Sequence, residues 1–278
     1  MSEIAHKSHE GGLKKVRDKF SLSVCVVTYN EEGNIRDCLK SVAWADQIVV
    51  VDSFSSDKTT EICREFTDEV VQREWKGQID QKNFALSRAK HDWVLLIDAD
   101  ERLSPGLIEE IKEELSKKNF EYDGFYFPRH VYYLGRWINH GEWYPDYKLR
   151  LFRRAKGRIG GVEPHDKVEL TGKQVKYLKG DLWHFTYKNI SAQMETLNRF
   201  SSISAQEMAK QGNAFQPFQI LSRPIIRFIT GYIIRNGFRD GMPGFIIAVA
   251  SSFYVFLKYF KLWELQNESK VQSLRSRV

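Results

Sequence analysis

The chain has 278 residues, of which 42% are hydrophobic and 28% are charged, so it can bury a sizeable core and is not a disordered chain. The formal net charge is +6, and the whole excess lies between residues 223 and 278, where nine Lys and Arg residues face three acidic residues. A basic, apolar segment favours an anionic membrane surface as a partner. We expect no nucleic-acid partner, because the sequence has no helix-turn-helix, zinc-finger or RNA-binding signature.

Strands and helices alternate along the first 118 residues. Residues 1–19 are polar, and we expect them to be flexible. Short apolar runs predict strands at 22–27, 47–51, 69–72 and 93–97. Apolar residues at helical spacing follow each run, and Ser104 with Pro105 begins the last helix of this part. This alternation predicts an α/β fold with a mostly parallel, doubly wound sheet that binds ligands at the carboxyl ends of its strands.

The pattern changes after residue 120. The runs 124–129, 147–152, 167–170 and 174–178 predict strands in mixed or antiparallel pairing, and 190–211 predicts a helix. Two loops between these strands, 137–146 and 160–166, are rich in aromatic residues or glycine. We therefore expect an α/β catalytic domain at 20–212 that carries an antiparallel extension.

A basic, apolar helical tail is predicted at 213–278. The tail contains Gly241–Leu257, a stretch of seventeen residues without a charge, which is short for a membrane span of about twenty. Three alternatives stay open: a helical hairpin buried against the domain, an amphipathic helix at a membrane interface, or a true span. The cysteines Cys25, Cys38 and Cys63 fall at apolar positions without metal-ligand spacing, which indicates buried free thiols in a reducing cytosol.

The motif Asp98-Ala99-Asp100 follows the apolar run Val94–Ile97 directly. Two carboxylates at a strand end suit Mg²⁺ or Mn²⁺, which prefer oxygen ligands and often bind substrate phosphates as well. A cation there neutralises a diphosphate leaving group. Because phosphatases use similar acidic pockets, the motif alone does not choose between transferase and phosphatase.

Polar residues also follow the first two strands. Asp52 can accept a hydrogen bond from a base or a ribose hydroxyl, or it can close an Asx-turn. The loop after the first strand reads Thr28-Tyr29-Asn30-Glu31. Because it contains neither Gly-x-Gly-x-x-Gly nor a Walker loop, a nucleotide is not held as in dinucleotide-binding or P-loop folds.

Three ordered motifs carry a family resemblance: Val26–Glu31, Val49–Thr59 and Leu95–Glu101. Together they resemble family 2 glycosyltransferases of the GT-A fold. The later stretch from Leu134 to Arg154, with Gly237–Gly241 in the tail, resembles the lipopolysaccharide core β-1,4-glucosyltransferase branch. The resemblance covers roughly residues 20–265.

The resemblance implies an inverting, metal-dependent transfer of a hexose, with glucose expected, from a UDP-sugar. It implies that the nucleoside is held by Thr28, Asn30, Glu31 and Asp52. It further implies that Gln81, Lys82 or Asn83 faces the nucleotide or sugar, and that Asp98 turns toward the ribose or sugar. Asp100 and His184 are implied to hold the metal ion, Mn²⁺ or Mg²⁺. His184 can also be an ordinary half-buried histidine.

The catalytic base is expected to be an acidic side chain that takes the proton of the attacking hydroxyl. Where the branch has Val-His-Glu, this chain has Glu163-Pro164-His165-Asp166, so Asp166 is the first candidate although its side chain is one methylene shorter. Asp146 is the second candidate, with a turn or ion pair as its alternative role, and Glu163 is the third. His165 is expected to orient Asp166 or to contact the acceptor.

Aromatic and basic residues are candidates for acceptor binding. Trp143, Tyr144 and also Trp137 can stack on an acceptor sugar, or they can be core residues. Arg150, Arg153 and Arg154 can meet acceptor phosphates or lipid headgroups, or they can line a solvated strand edge.

We therefore expect a peripheral enzyme on the cytoplasmic face of the bacterial inner membrane. Its acceptor would be a lipid-linked saccharide, such as the lipopolysaccharide inner core. The alternatives are a polyprenyl-phosphate sugar transferase and a non-catalytic nucleotide-binding membrane scaffold. A phosphatase is disfavoured because we find no ordered motifs for an aspartyl nucleophile.

Overall fold

A computed structural model describes residues 20–117, 121–163, 165–172 and 174–275, with only the backbone of His165 and of residues 269–275. The predicted flexible segment at residues 1–19 lies outside this description.

Parallel strands form the first half of the main sheet, in the order β3–β2–β1–β4. These strands are β1 (Leu22–Thr28), β2 (Gln47–Asp52), β3 (Val70–Gln72) and β4 (Trp93–Asp98). The helices between and after them are α1 (Ile35–Val42), α2 (Thr59–Arg64), α3 (Gln78–Arg88) and α4 (Pro105–Ser116). The side-chain hydroxyl of Ser104 caps α4 by accepting from the amide of Leu107.

Burial on both faces explains why the first strands are continuous apolar runs. Every residue of β1 and β2 is buried. One face packs against α1 through Ile35 and Leu39, and the other packs against α3 through Ala85 and Leu86. A parallel sheet covered by helices on both faces requires such sequences. The predicted α/β fold with a doubly wound sheet is confirmed.

The second half of the main sheet is mixed and continues in the order β4–β8–β6–β12–β5. Its strands are β5 (Glu101–Leu103), β6 (Gly124–Tyr133), β7 (Arg136–Trp137), β8 (Asp146–Arg153), β11 (Val175–Tyr177) and β12 (Leu182–Phe185). A separate antiparallel hairpin joins β9 (Gly157–Val162) to β10 (His165–Leu170). The predicted antiparallel extension is confirmed, but the glycines at 160 and 161, predicted to be loop, belong to β9.

The C-terminal part is helical, as predicted. It comprises α5 (Ile190–Lys210), α6 (Gln219–Phe228), a π-helical turn (Ile229–Ile234), a 3₁₀ turn (Gly237–Asp240) and α7 (Gly241–Arg275). The hydroxyl of Ser252 in α7 donates to the carbonyl of Pro224 in α6 at 2.8 Å. The ammonium of Lys261 donates to the Asn198 carbonyl in α5 at 2.6 Å. The tail therefore packs on the rest of the chain.

The outer face of the tail carries exposed apolar side chains. Ile226, Ile233 and Ile234 are 58%, 55% and 68% exposed. Within the described residues one helix, Gly237–Glu268, has the length and composition of a membrane span, with 22% of its most apolar window buried. The tail thus combines a packed inner face with an exposed apolar outer face. The three cysteines are free and buried, as predicted.

Candidate active site

The carboxyl ends of β1, β2 and β4 meet at one edge of the sheet. Thr28 is in register with Asp52, and Val27 is in register with Asp98. The predicted nucleoside residues and the acidic motif are therefore neighbours in space. The hydroxyl of Thr28 is buried and has no hydrogen-bond partner in the described part of the chain.

The loops after β1 and β2 hold each other. Asn30 adopts a left-handed backbone, with φ of 54°. Its side-chain oxygen accepts from the amide of Ser56 at 2.8 Å, and its own amide donates to the hydroxyl of Ser55 at 2.8 Å. The amide of Glu31 donates to Thr59 at 2.8 Å. Burial raises the pKa of Glu31, and the neighbouring charge of Asp100 adds to that rise.

Asp52 closes a turn inside the protein. It is fully buried, and its carboxylate accepts from the amide of Ser55 at 2.8 Å, from the Ser55 hydroxyl, and from the side chain of Gln72 at 3.1 Å. The Asx-turn alternative is therefore present in the structure. Through Ser55, Asp52 also fixes Asn30, so it shapes the pocket wall even without touching a nucleoside.

Lys82 joins three elements at the centre of the site. Its ammonium lies 2.8 Å from Oδ1 of Asp98 at the end of β4 and 3.0 Å from Oδ2 of Asp166 in β10. The Lys82 side chain is only 2% exposed, and a buried charge requires such partners. The candidate base is thus held by an ion pair to α3.

The neighbours of Lys82 in α3 have other roles. Both polar groups of the Asn83 side chain bond the backbone of Ile159 in β9, at 2.8 and 3.0 Å. The Gln81 amide donates to the hydroxyl of Ser53 at 2.9 Å. Of the three α3 candidates for the sugar nucleotide, only Lys82 reaches the acidic cluster.

The third base candidate, Glu163, accepts from the Ile79 amide at 3.0 Å and so caps α3.

Arg150 lies inside the site, which corrects the prediction that it meets acceptor phosphates or lines a solvated edge. It is 6% exposed, and its Nη2 lies 2.7 Å from both Asp98 and the fully buried Glu101. Burial alone raises the pKa of Asp98, but Lys82 and Arg150 outweigh it and hold that pKa well below its usual range. Asp98 is therefore an ionised carboxylate with a cation on each oxygen.

Arg153 and Arg154 lie at the opposite end of β4. Arg153 is in register with Trp93, the first residue of β4, and its guanidinium stacks 5.0 Å from the Trp93 ring centre. The Arg154 side chain donates to the carbonyl of His91 at 3.1 Å. Because the site lies at the Asp98 end of β4, the strand-edge alternative describes these two arginines better than the acceptor role.

Asp146, the second base candidate, is engaged in two ion pairs. Its carboxylate lies 2.6 Å from Arg129 and 3.0 Å from Lys148. Burial would raise the pKa of Asp146, but these two cations lower it below its usual value. The structure therefore contains the ion-pair alternative, and a carboxylate with a lowered pKa is a weaker base.

Asp100 and His184 form the candidate metal pair. Oδ2 of Asp100 lies 3.0 Å from Nε2 of His184, which β12 places beside β5. Among the described residues no three His, Cys, Asp or Glu side chains group into a metal site. One carboxylate and one imidazole nonetheless suit Mn²⁺ or Mg²⁺ when substrate phosphates and water complete the coordination. Asp98 is not free for this purpose because its oxygens face Lys82 and Arg150.

The aromatic candidates divide between the two faces of β12. Trp143 packs against Tyr133 and Tyr187, with ring centres 5.2 and 6.2 Å apart. His184 is in register with Val131, which belongs to the same cluster as Tyr133, Trp143 and Tyr187. Trp143 and Tyr187 can therefore form a stacking surface on the face of the sheet that carries His184.

Trp137 and Tyr144 lie on the other face. Trp137 packs on Trp183 and Phe185, which flank His184 and so point away from it. Tyr144 packs on His130 and donates to Asp181 at 3.2 Å. The core alternative describes these two residues better than acceptor stacking. The side chain of His165, the remaining acceptor candidate, lies outside the described atoms.

Glu101, Arg129 and Tyr187 were not predicted. Glu101 follows the acidic motif directly, and its spacing of three from Asp98 was the available signal. Arg129 and Tyr187 had no such signal in the sequence, because strand pairing between distant segments brings them to the site.

Comparisons with known proteins show which sequences this chain resembles. The model of the family "Glycosyl transferase family 2" matches residues 23–168. A lipopolysaccharide core biosynthesis glycosyltransferase of Rhizobium meliloti is 30% identical, over 88% of this chain and 93% of the relative. An uncharacterized glycosyltransferase of Rickettsia typhi is also 30% identical, over 90% and 89%.

A solved structure confirms the GT-A fold expected from the sequence. It is a mannosyltransferase of Pyrobaculum calidifontis in complex with GDP-Man and Mn²⁺, with a TM-score of 0.55 at 16% identity, over 88% of this chain and 87% of that one.

Replacing Lys82 with Met tests the central ion pair. Removing one partner of a buried pair costs about 3 kcal/mol of unfolding free energy at pH 7. The lowered pKa of Asp98 means that its ionised form stabilises the fold above its unfolded pKa of about 3.9, and this stabilisation is lost as the pH falls further. Because Lys82→Met raises the folded-state pKa of Asp98, we expect the difference from wild type to shrink below pH 4.

Urea unfolding between pH 3 and pH 7 measures this effect. Lys90→Met is the matched control, since Lys90 pairs with Glu69 at the surface and such pairs contribute about 1 kcal/mol or less. A constant difference across this pH range would contradict the assignment.

Proposed function

Because this chain belongs to glycosyl transferase family 2 and is therefore a glycosyltransferase, we propose that it transfers a hexose, with glucose expected, from a UDP-sugar to a lipid-linked saccharide with inversion. The observation that carries the proposal is the pair Asp98 and Asp100 at the carboxyl end of a parallel strand, with Asp166 joined to Asp98 through Lys82 and with His184 beside Asp100. The name of the Rhizobium relative motivates the acceptor class, the lipopolysaccharide inner core.

We assign Asp100 and His184 as the protein ligands of a divalent cation, Mn²⁺ or Mg²⁺. When bound, the cation supplies charge neutralisation for the departing nucleoside diphosphate. The nucleoside is proposed to lie against Thr28, Asn30 and Glu31, where the Thr28 hydroxyl has no hydrogen-bond partner among the described residues.

Asp166 is the proposed base. It takes the proton of the acceptor hydroxyl as that oxygen attacks the anomeric carbon and the nucleoside diphosphate leaves from the opposite face. Lys82 holds Oδ2 of Asp166, so we assign the proton to Oδ1. Arg150 and Lys82 keep Asp98 ionised and fixed. We propose that this carboxylate contacts the donor ribose or sugar.

The outer face of the tail is the proposed membrane surface. Its apolar side chains are exposed beside spaced arginines, a composition that suits the interface of an anionic bilayer. The inner face is packed, which favours peripheral association over a span. We place the protein on the cytoplasmic face of the bacterial inner membrane, where nucleotide sugars and lipid-linked acceptors meet.

Asp100→Asn and His184→Gln are expected to weaken cation-dependent donor binding by at least about tenfold, because each removes one metal ligand. Calorimetry with UDP, UDP-glucose and GDP-mannose, in Mn²⁺ and then in chelator, measures it. The surface change Asp37→Asn is the control. Binding that stays equally cation-dependent in both variants would rule out this metal pair, and tighter binding of GDP-mannose would change the donor class.

Asp166→Asn is expected to slow transfer at least about a hundredfold, the lower range for loss of a general base. The affinity for donor should stay within about twofold, because the amide keeps the shape of the side chain. Asp146→Asn is the comparison. The assay follows radiolabelled sugar into deacylated lipopolysaccharide core oligosaccharide that lacks its hexoses. An active Asp166→Asn together with an inactive Asp146→Asn would move the base to Asp146.

Ile226→Asp and Ile233→Asp are expected to release the protein from vesicles of phosphatidylethanolamine and phosphatidylglycerol, because each puts a charge into the apolar interface. Sedimentation with the vesicles measures the bound fraction. Ile190→Asp in α5, also at an exposed isoleucine, is the control. Equal release by all three variants, or no binding by wild type, would exclude the tail as a membrane surface.

A further inference from the structure

The 3₁₀ turn of the tail holds the loop between β7 and β8. Asp240 is only 1% exposed, and its Oδ2 accepts from the backbone amides of Asn139 and His140 at 3.1 and 2.7 Å. Its Oδ1 lies 3.2 Å from the ring of His140. The amide of Gly141 donates to the carbonyl of Arg235 at 2.9 Å. A carboxylate on two successive amides fixes the path of the backbone there.

A second contact follows immediately along the loop. Oε2 of Glu142 lies 2.7 Å from Nε of Arg227 in α6. The side chain of Glu142 is 8% exposed, whereas that of Arg227 is 46% exposed. A nearly buried carboxylate needs its cation, so Arg227 determines where Glu142 can lie.

The next residue is Trp143, which packs on Tyr133 and Tyr187. Tyr133 comes two residues after Val131, the register partner of His184, so Trp143 lies on the His184 face of the sheet. Ile247 of α7 is buried against Val131 and Tyr133, directly behind this aromatic cluster. The tail therefore packs against the aromatic cluster and, through Asp240 and Arg227, holds the loop that carries Trp143.

The close packing of the tail turn supports its rigidity. A Cβ atom at Gly244 would lie 2.0 Å from the carbonyl oxygen of Gly237, so only glycine allows α7 to pass this near the turn. Asp240 lies between these glycines and is held in place with them.

We infer that the tail is a wall of the acceptor site, in which Asp240 and Arg227 are positioning residues that hold Trp143 where an acceptor sugar stacks. The inference rests on the proposed transfer to a saccharide. It gives the tail a role separate from membrane binding: the inner face shapes the site while the outer face meets the bilayer. Since misplacement by about 1 Å can cost about a hundredfold in rate, this support matters for catalysis.

Arg227→Ala and Asp240→Asn test the inference in the full-length protein. Arg227 is half exposed, so its replacement is compatible with folding. The control is Arg223→Ala, which removes the same charge one turn earlier in α6, where the described chain shows no ion pair. Hydrogen exchange of residues 139–143 is measured first, without any substrate. We expect exchange about tenfold faster in both variants and unchanged in the control.

Transfer to the soluble, deacylated core oligosaccharide is measured next, so that membrane binding plays no part. We expect the KM for this acceptor to rise about tenfold or more in both variants, with the KM for donor and the nucleotide affinity unchanged. Rescue by Arg227→Lys, which retains a cation, would further support the positioning role.

Three results would overturn the inference: unchanged exchange and acceptor KM, an equal effect of Arg223→Ala, or a parallel loss of donor affinity. Failure of the wild-type protein to bind any nucleotide sugar would instead refute the proposed function, and the exchange measurement distinguishes the two cases.

Discussion

The buried ammonium of Lys82 is the interaction on which the site depends. It lies between Asp98 and Asp166, which are far apart in sequence and belong to different sheets. A charge that is shielded from water needs partners of opposite charge. If α3 separated from the end of β4 or from the β9–β10 hairpin, the ammonium would lose an ion-pair partner. Two further contacts join the same helix and hairpin: Asn83 hydrogen-bonds the backbone of β9, and Glu163 caps α3. The position of the proposed base is therefore a property of the fold rather than of a mobile loop.

The local features of the sequence predicted the frame of the protein well. Apolar runs that end in Thr28, Asp52 and Asp98 identified parallel strands and the edge where they meet, because both burial and strand ends leave a local pattern. The cap at Ser104 and the long helix after Ile190 were equally local. A family resemblance supplied the pairing of Asp100 with His184, which spacing alone does not indicate.

The errors concern contacts between distant segments. Arg150, Arg153 and Arg154 lie within one short stretch, yet the first is buried in the acidic cluster and the others lie at the far end of β4. Only the antiparallel pairing of β8 with β4 separates them, and no periodicity in the sequence reveals that register. Trp137 and Trp143 likewise look equivalent in a Trp-rich loop. Trp137 packs on Tyr132 and Trp143 packs on Tyr133, and these consecutive residues of β6 point to opposite faces of the sheet. For the same reason the sequence did not predict the role of Asp240, whose hydrogen-bond partner His140 is 100 residues away in sequence.

The interlocked loops after β1 and β2 have a consequence for ligand affinity. The amide of Asn30 donates to the hydroxyl of Ser55, which in turn donates to Asp52, so the two loops are already ordered before any nucleotide binds. Binding to a preorganised pocket does not lose the conformational entropy that a floppy loop would lose on closing. The loops lose this conformational entropy when the protein folds and not when the nucleotide binds. More of the free energy of nucleoside binding can therefore serve to position the sugar for reaction.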